Sequence, residues 1–148
     1  MLLELDLPDG WTLQGRPDTH RTVVTGLGPV IELGPLAALP DEPRRWIDSV
    51  MVQALPPGTR LGPPSEVNLQ NDLGWPMECM RAEVQTPEGQ VLEQRLGAFY
   101  KFNEWVAFAL VRGRSLDDAL PAISAALKSG RPRWQSPTVI AAIAELWT

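Results

Sequence analysis

The sequence predicts a single α+β domain with a mostly antiparallel sheet, on the basis of three observations. Three strand-like segments, 76–85, 90–102 and 105–112, follow one another across short turns, as in an antiparallel meander. Two other segments space their apolar residues three and four positions apart, as amphipathic helices do. Strands and helices do not alternate regularly, which disfavours a doubly wound parallel sheet. A chain of 148 residues has room for one such domain.

Short strands are predicted before the first helix. Leu3, Leu5 and Leu7 alternate with acidic residues, which is the period of a half-buried strand. The β-branched and apolar runs 22–25 and 30–33 are separated by Gly-Leu-Gly-Pro, a sequence typical of a tight turn. These segments are expected to supply the first strands of the sheet.

The first helix is predicted from Pro43 to about Ala54. Proline is tolerated in a first helical turn, and acidic residues just before it suit the helix dipole. Trp46, Ile47 and Val50 fall on one face of this helix, so that face is expected to pack on the sheet.

The second helix is predicted from Ser115 to about Ser129. The Ser115 hydroxyl and the Asp118 carboxylate have the spacing of a capping box. Gly130 is expected to close the helix in a left-handed conformation. The apolar positions that recur at helical spacing are Leu116, Leu120, Ile123 and Leu127.

The chain divides into a domain and an addition. Residues 1–130 are expected to form the α+β domain, and residues 131–148 a linker followed by a C-terminal helix. Arg131 to Trp134 are interpreted as the linker, because Ser136 and Pro137 fit the start of a helix.

Composition excludes several classes of function. Thirteen basic and eighteen acidic residues give a net charge of -5, with no basic stripe of the kind that binds nucleic acid. No apolar run approaches the ~20 residues that cross a bilayer, so stable membrane insertion is not expected. The N-terminal sequence does not resemble a secretory leader, and a cytoplasmic location is expected.

Catalytic and metal-binding chemistry is sparse. His20 is the single histidine, and its polar neighbours are typical of a solvated loop. Cys79 is expected to be a buried, unreactive thiol. Asp117 and Asp118 are attributed to the start of the second helix. The sequence therefore predicts no enzyme, no cofactor and no metal site.

A partner surface is predicted on the sheet. The strand 105–112 is apolar on both faces, which is typical of a central strand. If both helices cover the face that carries Val106, Phe108 and Leu110, the opposite face is left for a protein partner. The predicted partner-binding residues are Met77, Trp105, Ala107, Ala109 and Val111 in the sheet, with Trp134 and Trp147 in the C-terminal addition. The alternative is that these residues pack beneath the terminal helix, and a homodimer is compatible with both interpretations.

Three motifs carry a family resemblance. They are Leu-Pro-Asp-Gly-Trp at 7–11, Leu-Pro-Asp-Glu-Pro at 39–43 and Phe-Tyr-Lys-Phe-Asn-Glu-Trp at 99–105. Together with the order of elements they resemble the PsbP/DcrB-like superfamily, the Mog-like fold, and within it most of all the Eag-type chaperones of type VI secretion effectors. The resemblance covers about residues 2–130. It implies an antiparallel sheet flanked by helices and a function in binding without chemistry.

Four functions follow as hypotheses. The first is a chaperone or adaptor that shields apolar helices of a secreted effector. The second is an immunity-type inhibitor that neutralises a toxin through loops containing Asp18 or Glu66. The third is a small-GTPase-binding protein of the Mog type, and the fourth is an enzyme that uses His20 with Asp18.

Overall fold

The computed structural model describes residues 2–16 and 19–133. It confirms an α+β fold with antiparallel strand pairing and two helices. The helices are α1 (Pro43–Met51) and α2 (Leu120–Lys128), and a 3-10 turn at Asp117–Ala119 precedes α2. The strands are β1 (Leu2–Glu4), β2 (Thr12–Gln14), β3 (Arg21–Val24), β4 (Val30–Leu33), β5 (Ala37–Ala38), β6 (Arg60–Leu61), β7 (Ser65–Val67), β8 (Met77–Gln85), β9 (Val91–Phe102), β10 (Trp105–Gly113) and β11 (Arg131–Arg133).

The main sheet has the order β2-β3-β4-β10-β9-β8-β6. β5 continues the position of β4 along β10, and β7 pairs with β8 next to β6. The predicted meander is confirmed as β8, β9 and β10, each within one residue of the expected bounds. β10 lies in the middle of the sheet, which explains why both of its faces are apolar.

The register between β9 and β10 decides which residues share a face. Ala107 pairs with Tyr100 and Ala109 pairs with Ala98, so their side chains point to the same side of the sheet. The two-residue turn between these strands places Asn103 at a φ of 61°, a left-handed conformation that asparagine tolerates better than most residues.

The two helices lie on opposite faces of the sheet. α1 buries Ile47 and Val50 against the face that carries Phe108. α2 buries Ile123 and Leu127 against the opposite face, with the residues of β1 beside it. The expectation that both helices share one face is therefore wrong. Each helix has its own apolar partner face on β9 and β10, and together they cover both sides.

α1 ends at Met51, three residues before the predicted end. The completely buried Arg95 of β9 donates hydrogen bonds to the main-chain carbonyls of Met51 at 2.8 Å and Gln53 at 2.6 Å. Ala54 then takes a φ of 52°. The helix stops here because the arginine satisfies carbonyl oxygens that a longer helix would have used internally.

α2 is shorter than predicted at its N-terminus. Pro121 lies in its first turn, where the missing N–H does no harm, and the residues after Ser115 form the 3-10 turn instead. Gly130 does not adopt the predicted left-handed conformation. Its small size matters for another reason, since a Cβ there would lie 2.4 Å from a ring carbon of Tyr100.

Residues 131–133, which the sequence predicted as a linker, form strand β11 paired with β1. Arg131 forms ion pairs with Glu4 and, at 2.8 Å, with Asp6, and Arg133 forms an ion pair with Glu4. The alternation of arginine and proline turns both cations towards these acids, which explains why this segment pairs with β1 in a separate two-stranded sheet. The predicted C-terminal helix lies outside the described residues. Neither α1 nor α2 has the length or apolarity needed to cross a bilayer.

Candidate functional site

An open, mostly apolar cleft of about 500 Å³ lies between the start of α1 and the sheet. Its position is close to the turn between β9 and β10, at one end of the α1-covered face. The residues that line it are Leu39, Pro43, Trp46, Ile47, Pro76, Met77, Glu78, Phe99, Tyr100, Lys101 and Val106.

Aromatic contacts form the inner end of the cleft. The Trp46 ring meets the Phe99 ring edge-on, with 5.4 Å between centroids, and lies 6.3 Å from the Phe108 ring. Phe99 is buried at the floor, while Trp46 is half-buried. Edge-to-face packing of this kind holds the rings in defined positions. The cleft is therefore a preformed apolar surface.

The loop before α1 supplies one wall. The Leu39 N–H donates a 2.8 Å hydrogen bond to the carbonyl of Glu104 in the β9–β10 turn. This bond fixes the backbone of Leu39 beside the turn, although its side chain remains 40% exposed. Leu39 is thus held in a fixed place with part of its apolar side chain in water, so it is available for contact with a ligand.

Charged residues border the opposite side. Arg44 of α1 lies 3.0 Å from the carboxylate of Glu78 on β8, and this ion pair joins the helix to the sheet. Lys101 lies on β9, and its main-chain N–H donates to the carbonyl of Pro76 at 3.1 Å. Its side chain is exposed. The cleft thus combines an apolar floor with a polar rim, which is typical of binding sites.

The structure disperses the predicted partner-binding residues. Ala107, Ala109 and Val111 are completely buried beneath α2, so the predicted partner surface on that face is wrong. Met77 borders the cleft beside α1, but it pairs with Tyr100 and its side chain packs against the core on the α2 face. Trp105 is 42% exposed and lies in a separate hollow of about 280 Å³, which also contains Trp75 and Phe102. Trp134 and Trp147 lie outside the described residues.

Neither His20 nor Cys79 lines the cleft. His20 is exposed and its Nε2 lies 2.5 Å from a carboxylate oxygen of Glu32 on β4, while Asp18 lies outside the described residues. Cys79 is buried, and this burial, with a smaller contribution from the Glu78 charge, raises its pKa to about 12. Glu66, the other residue of the inhibitor hypothesis, is exposed on β7. Among residues 2–16 and 19–133, no three potential ligands are grouped closely enough to hold a metal ion.

Sequence reasoning missed the residues that define the cleft. In the sequence, Leu39 and Phe99 stand out only as parts of the motifs 39–43 and 99–105, and Val106 only as part of the face of β10 expected to lie beneath the helices. One local signal was present, because Lys101 is the only charge within the apolar run 96–102. An isolated lysine in a strand that is otherwise buried indicates that the floor of the sheet opens to solvent there.

Comparisons with known protein families and curated proteins assign no family to this chain. A scan against models of protein families finds no match, and a search of curated proteins finds none either. The structure itself defines an α+β protein whose antiparallel sheet carries one helix on each face, with an apolar cleft beside the first helix.

Proposed function

We propose that this chain is a cytoplasmic, non-enzymatic binding protein of the PsbP/DcrB-like kind, a chaperone or adaptor that shields an apolar segment of a secreted effector. The cleft beside α1 is its proposed binding site. The observation that carries the proposal is an open volume of about 500 Å³ with mostly apolar walls, already formed in the isolated chain. The proposed binding site is therefore on the sheet face that carries Phe99, and not on the face of Ala107 that the sequence predicted.

Apolar burial supplies the reason for binding. Apolar area removed from water contributes about 25 cal/mol per Å², so a segment with exposed leucines gains free energy by entering the cleft. Leu39 and Trp46 add contact area at the opening. Apolar contacts of this kind recognise any apolar segment that fits, and they do not require one exact sequence.

The size of the cleft limits what it holds. A volume of about 500 Å³ is in the range of sites that enclose one drug-sized molecule. That corresponds to a few side chains of a polypeptide, whereas a whole membrane-spanning helix is far larger. The proposal is therefore that the cleft anchors one short part of an apolar segment.

The experiment uses a short uncharged peptide of leucine and alanine with asparagine flanks, titrated into isotopically labelled protein and followed by NMR. We expect saturable shifts at residues of the cleft. Leu39→Arg should weaken binding by about tenfold or more, because a charged side chain at the wall must be desolvated when the peptide enters. Leu27→Arg is the matched control, since Leu27 is 60% exposed in the turn between β3 and β4.

A second readout tests shielding directly. A leucine-rich peptide of membrane-spanning length scatters light as it aggregates in water. Wild-type protein and Leu27→Arg should suppress this scattering, whereas Leu39→Arg should not. Equal suppression by both variants, or no binding of the short peptide, would contradict the proposal.

A further inference from the structure

Lys101 is a charged residue on the apolar floor of the cleft. It lies on the same face of β9 as Phe99, directly opposite Val106 of β10. Its side chain is exposed, and within the described part of the chain no carboxylate lies within ion-pair distance of it. A lysine in such a position can lay its methylene groups along the apolar floor while its ammonium group stays at the opening.

The other charges that line the cleft cancel. Among the described residues of the lining, Glu78 is the one carboxylate, and it is already paired with Arg44 at 3.0 Å. Pro43, the first residue of α1, lines the same cleft, and the N-cap residue before it is Glu42, whose carboxylate pairs with Arg45 at 3.1 Å. A carboxylate at this position offsets the positive end of the helix dipole. Among the described residues that line the cleft, Lys101 is therefore the one whose charge has no partner, on a protein of net charge -5.

From this charge distribution, and resting on the proposed function, we infer the chemistry of the occupant. It is an apolar polypeptide segment flanked by an acidic side chain, and the carboxylate of that side chain pairs with the Lys101 ammonium group. The apolar side chains supply contact area on Trp46 and Phe99, and the acid fixes which end of the segment lies near the β9–β10 turn. Electrostatic complementarity of this kind contributes orientation more than affinity.

The test compares three peptides with one leucine–alanine core and flanks of aspartate, asparagine or lysine, each titrated by NMR. In wild-type protein the aspartate peptide should bind about two- to fivefold more tightly than the asparagine peptide, as expected for one exposed ion pair. The lysine peptide should bind most weakly. The net charge of the protein predicts the reverse order, with the lysine peptide binding most tightly. The order of affinities therefore separates the effect of Lys101 from that of the net charge.

Variants at Lys101, compared with Arg114→Glu, locate the effect. Lys101→Glu should reverse the order of the aspartate and lysine peptides, and Lys101→Met should abolish the preference. Arg114→Glu, which changes net charge by the same amount at an exposed residue that does not line the cleft, should preserve the wild-type order. Equal affinities for the aspartate and asparagine peptides would overturn the inference and leave the proposed function standing, because the core still binds. Failure of all three peptides to bind would overturn both.

Discussion

Arg44 of α1 and Glu78 of β8 form a 3.0 Å ion pair across the side of the cleft. The two side chains are 61% and 38% exposed, so water screens the attraction between them. Exposed pairs of this kind contribute at most about 1 kcal/mol to folding. The importance of this pair is expected to lie in the position of α1 relative to the floor of the cleft, while packing of Ile47 and Val50 holds the helix in place.

Arg44→Gln is therefore predicted to change stability by less than about 1 kcal/mol and to weaken binding of the uncharged peptide. The reason is that a freer first turn of α1 must be ordered when the peptide binds. Urea denaturation gives the first quantity and the NMR titration gives the second. Arg45→Gln serves as the control, because Arg45 is on the same helix and, among the described residues, its ion pair is with Glu42 and not with the sheet. A large loss of stability in Arg44→Gln would contradict the view that this ion pair positions α1 while apolar packing holds it in place.

Arg95 is predicted to be one of the most sensitive positions in the protein. It is completely buried, donates to carbonyls at the end of α1 and pairs with Glu93 at 2.8 Å. Arg95→Met removes these bonds and leaves buried carbonyls without a donor, at a cost of about 3 kcal/mol. The urea midpoint should fall accordingly, whereas Arg114→Met, at an exposed residue, should leave it nearly unchanged. Similar midpoints for both variants would show that α1 does not depend on Arg95.

Glu93 is predicted to make stability dependent on acidic pH. Its burial alone would raise its pKa, but hydrogen bonds and charge from Arg112 and Arg95 outweigh burial and lower the pKa below the ordinary value of 4.5. A carboxylate with a lowered folded-state pKa contributes stability above its unfolded-state pKa and loses it as pH falls through the folded-state pKa. Glu93→Gln should thus have a lower free energy of unfolding than wild type at neutral pH. Below pH 4.5 its free energy of unfolding should depend less on pH. Urea denaturation across this pH range measures both quantities. Glu66→Gln, at an exposed residue, is the control, and its free energy of unfolding should depend on pH as in wild type.

Cys79 is predicted to be unreactive in the folded protein. Burial, with a contribution from Glu78, raises its pKa to about 12, so the thiolate that reacts is scarce below pH 9.0. A thiol reagent should modify the urea-unfolded chain rapidly and the folded chain only as fast as it opens. Because the folded state favours the protonated thiol, stability should decline as pH rises above the ordinary pKa of 9.0. Equal labelling rates in folded and unfolded protein would contradict the burial of this side chain.

Ala107 distinguishes the two faces of the sheet. It is completely buried beneath α2, so Ala107→Arg places an unpaired charge in the core and should prevent folding. Circular dichroism and thermal melting would detect the loss of structure. Ala125→Arg, at an exposed position of α2, should fold normally. A stable, cooperatively melting Ala107→Arg protein would show that this face is open after all.

Local patterns in the sequence are sufficient to predict the meander and the approximate helices. The alternation in β8 to β10 and the short turns between them act over neighbouring residues, so the strands are found within one residue of the predicted bounds. The ends of the helices are less predictable, because α1 is terminated by Arg95, more than forty residues away in sequence. A contact of this range leaves no local signal.

The cleft could not be predicted, because its walls come from separate parts of the chain. Leu39 and Trp46 precede β8, whereas Phe99 and Lys101 lie on β9, and their meeting depends on which sheet face α1 covers. Periodicity identifies the apolar side of a helix but not the face of the sheet on which it packs. The error in assigning both helices to one face therefore moved the predicted partner surface to the wrong side of β10.

Contacts between a bound apolar peptide and individual side chains decide where binding occurs. The measurement is a set of intermolecular nuclear Overhauser effects between the leucine methyl groups of the uncharged peptide and the protein. Binding in the cleft predicts cross-peaks to Leu39, Trp46 and Phe99. Cross-peaks confined to the hollow of Trp75 and Trp105 would place the ligand elsewhere and contradict the assignment of the cleft.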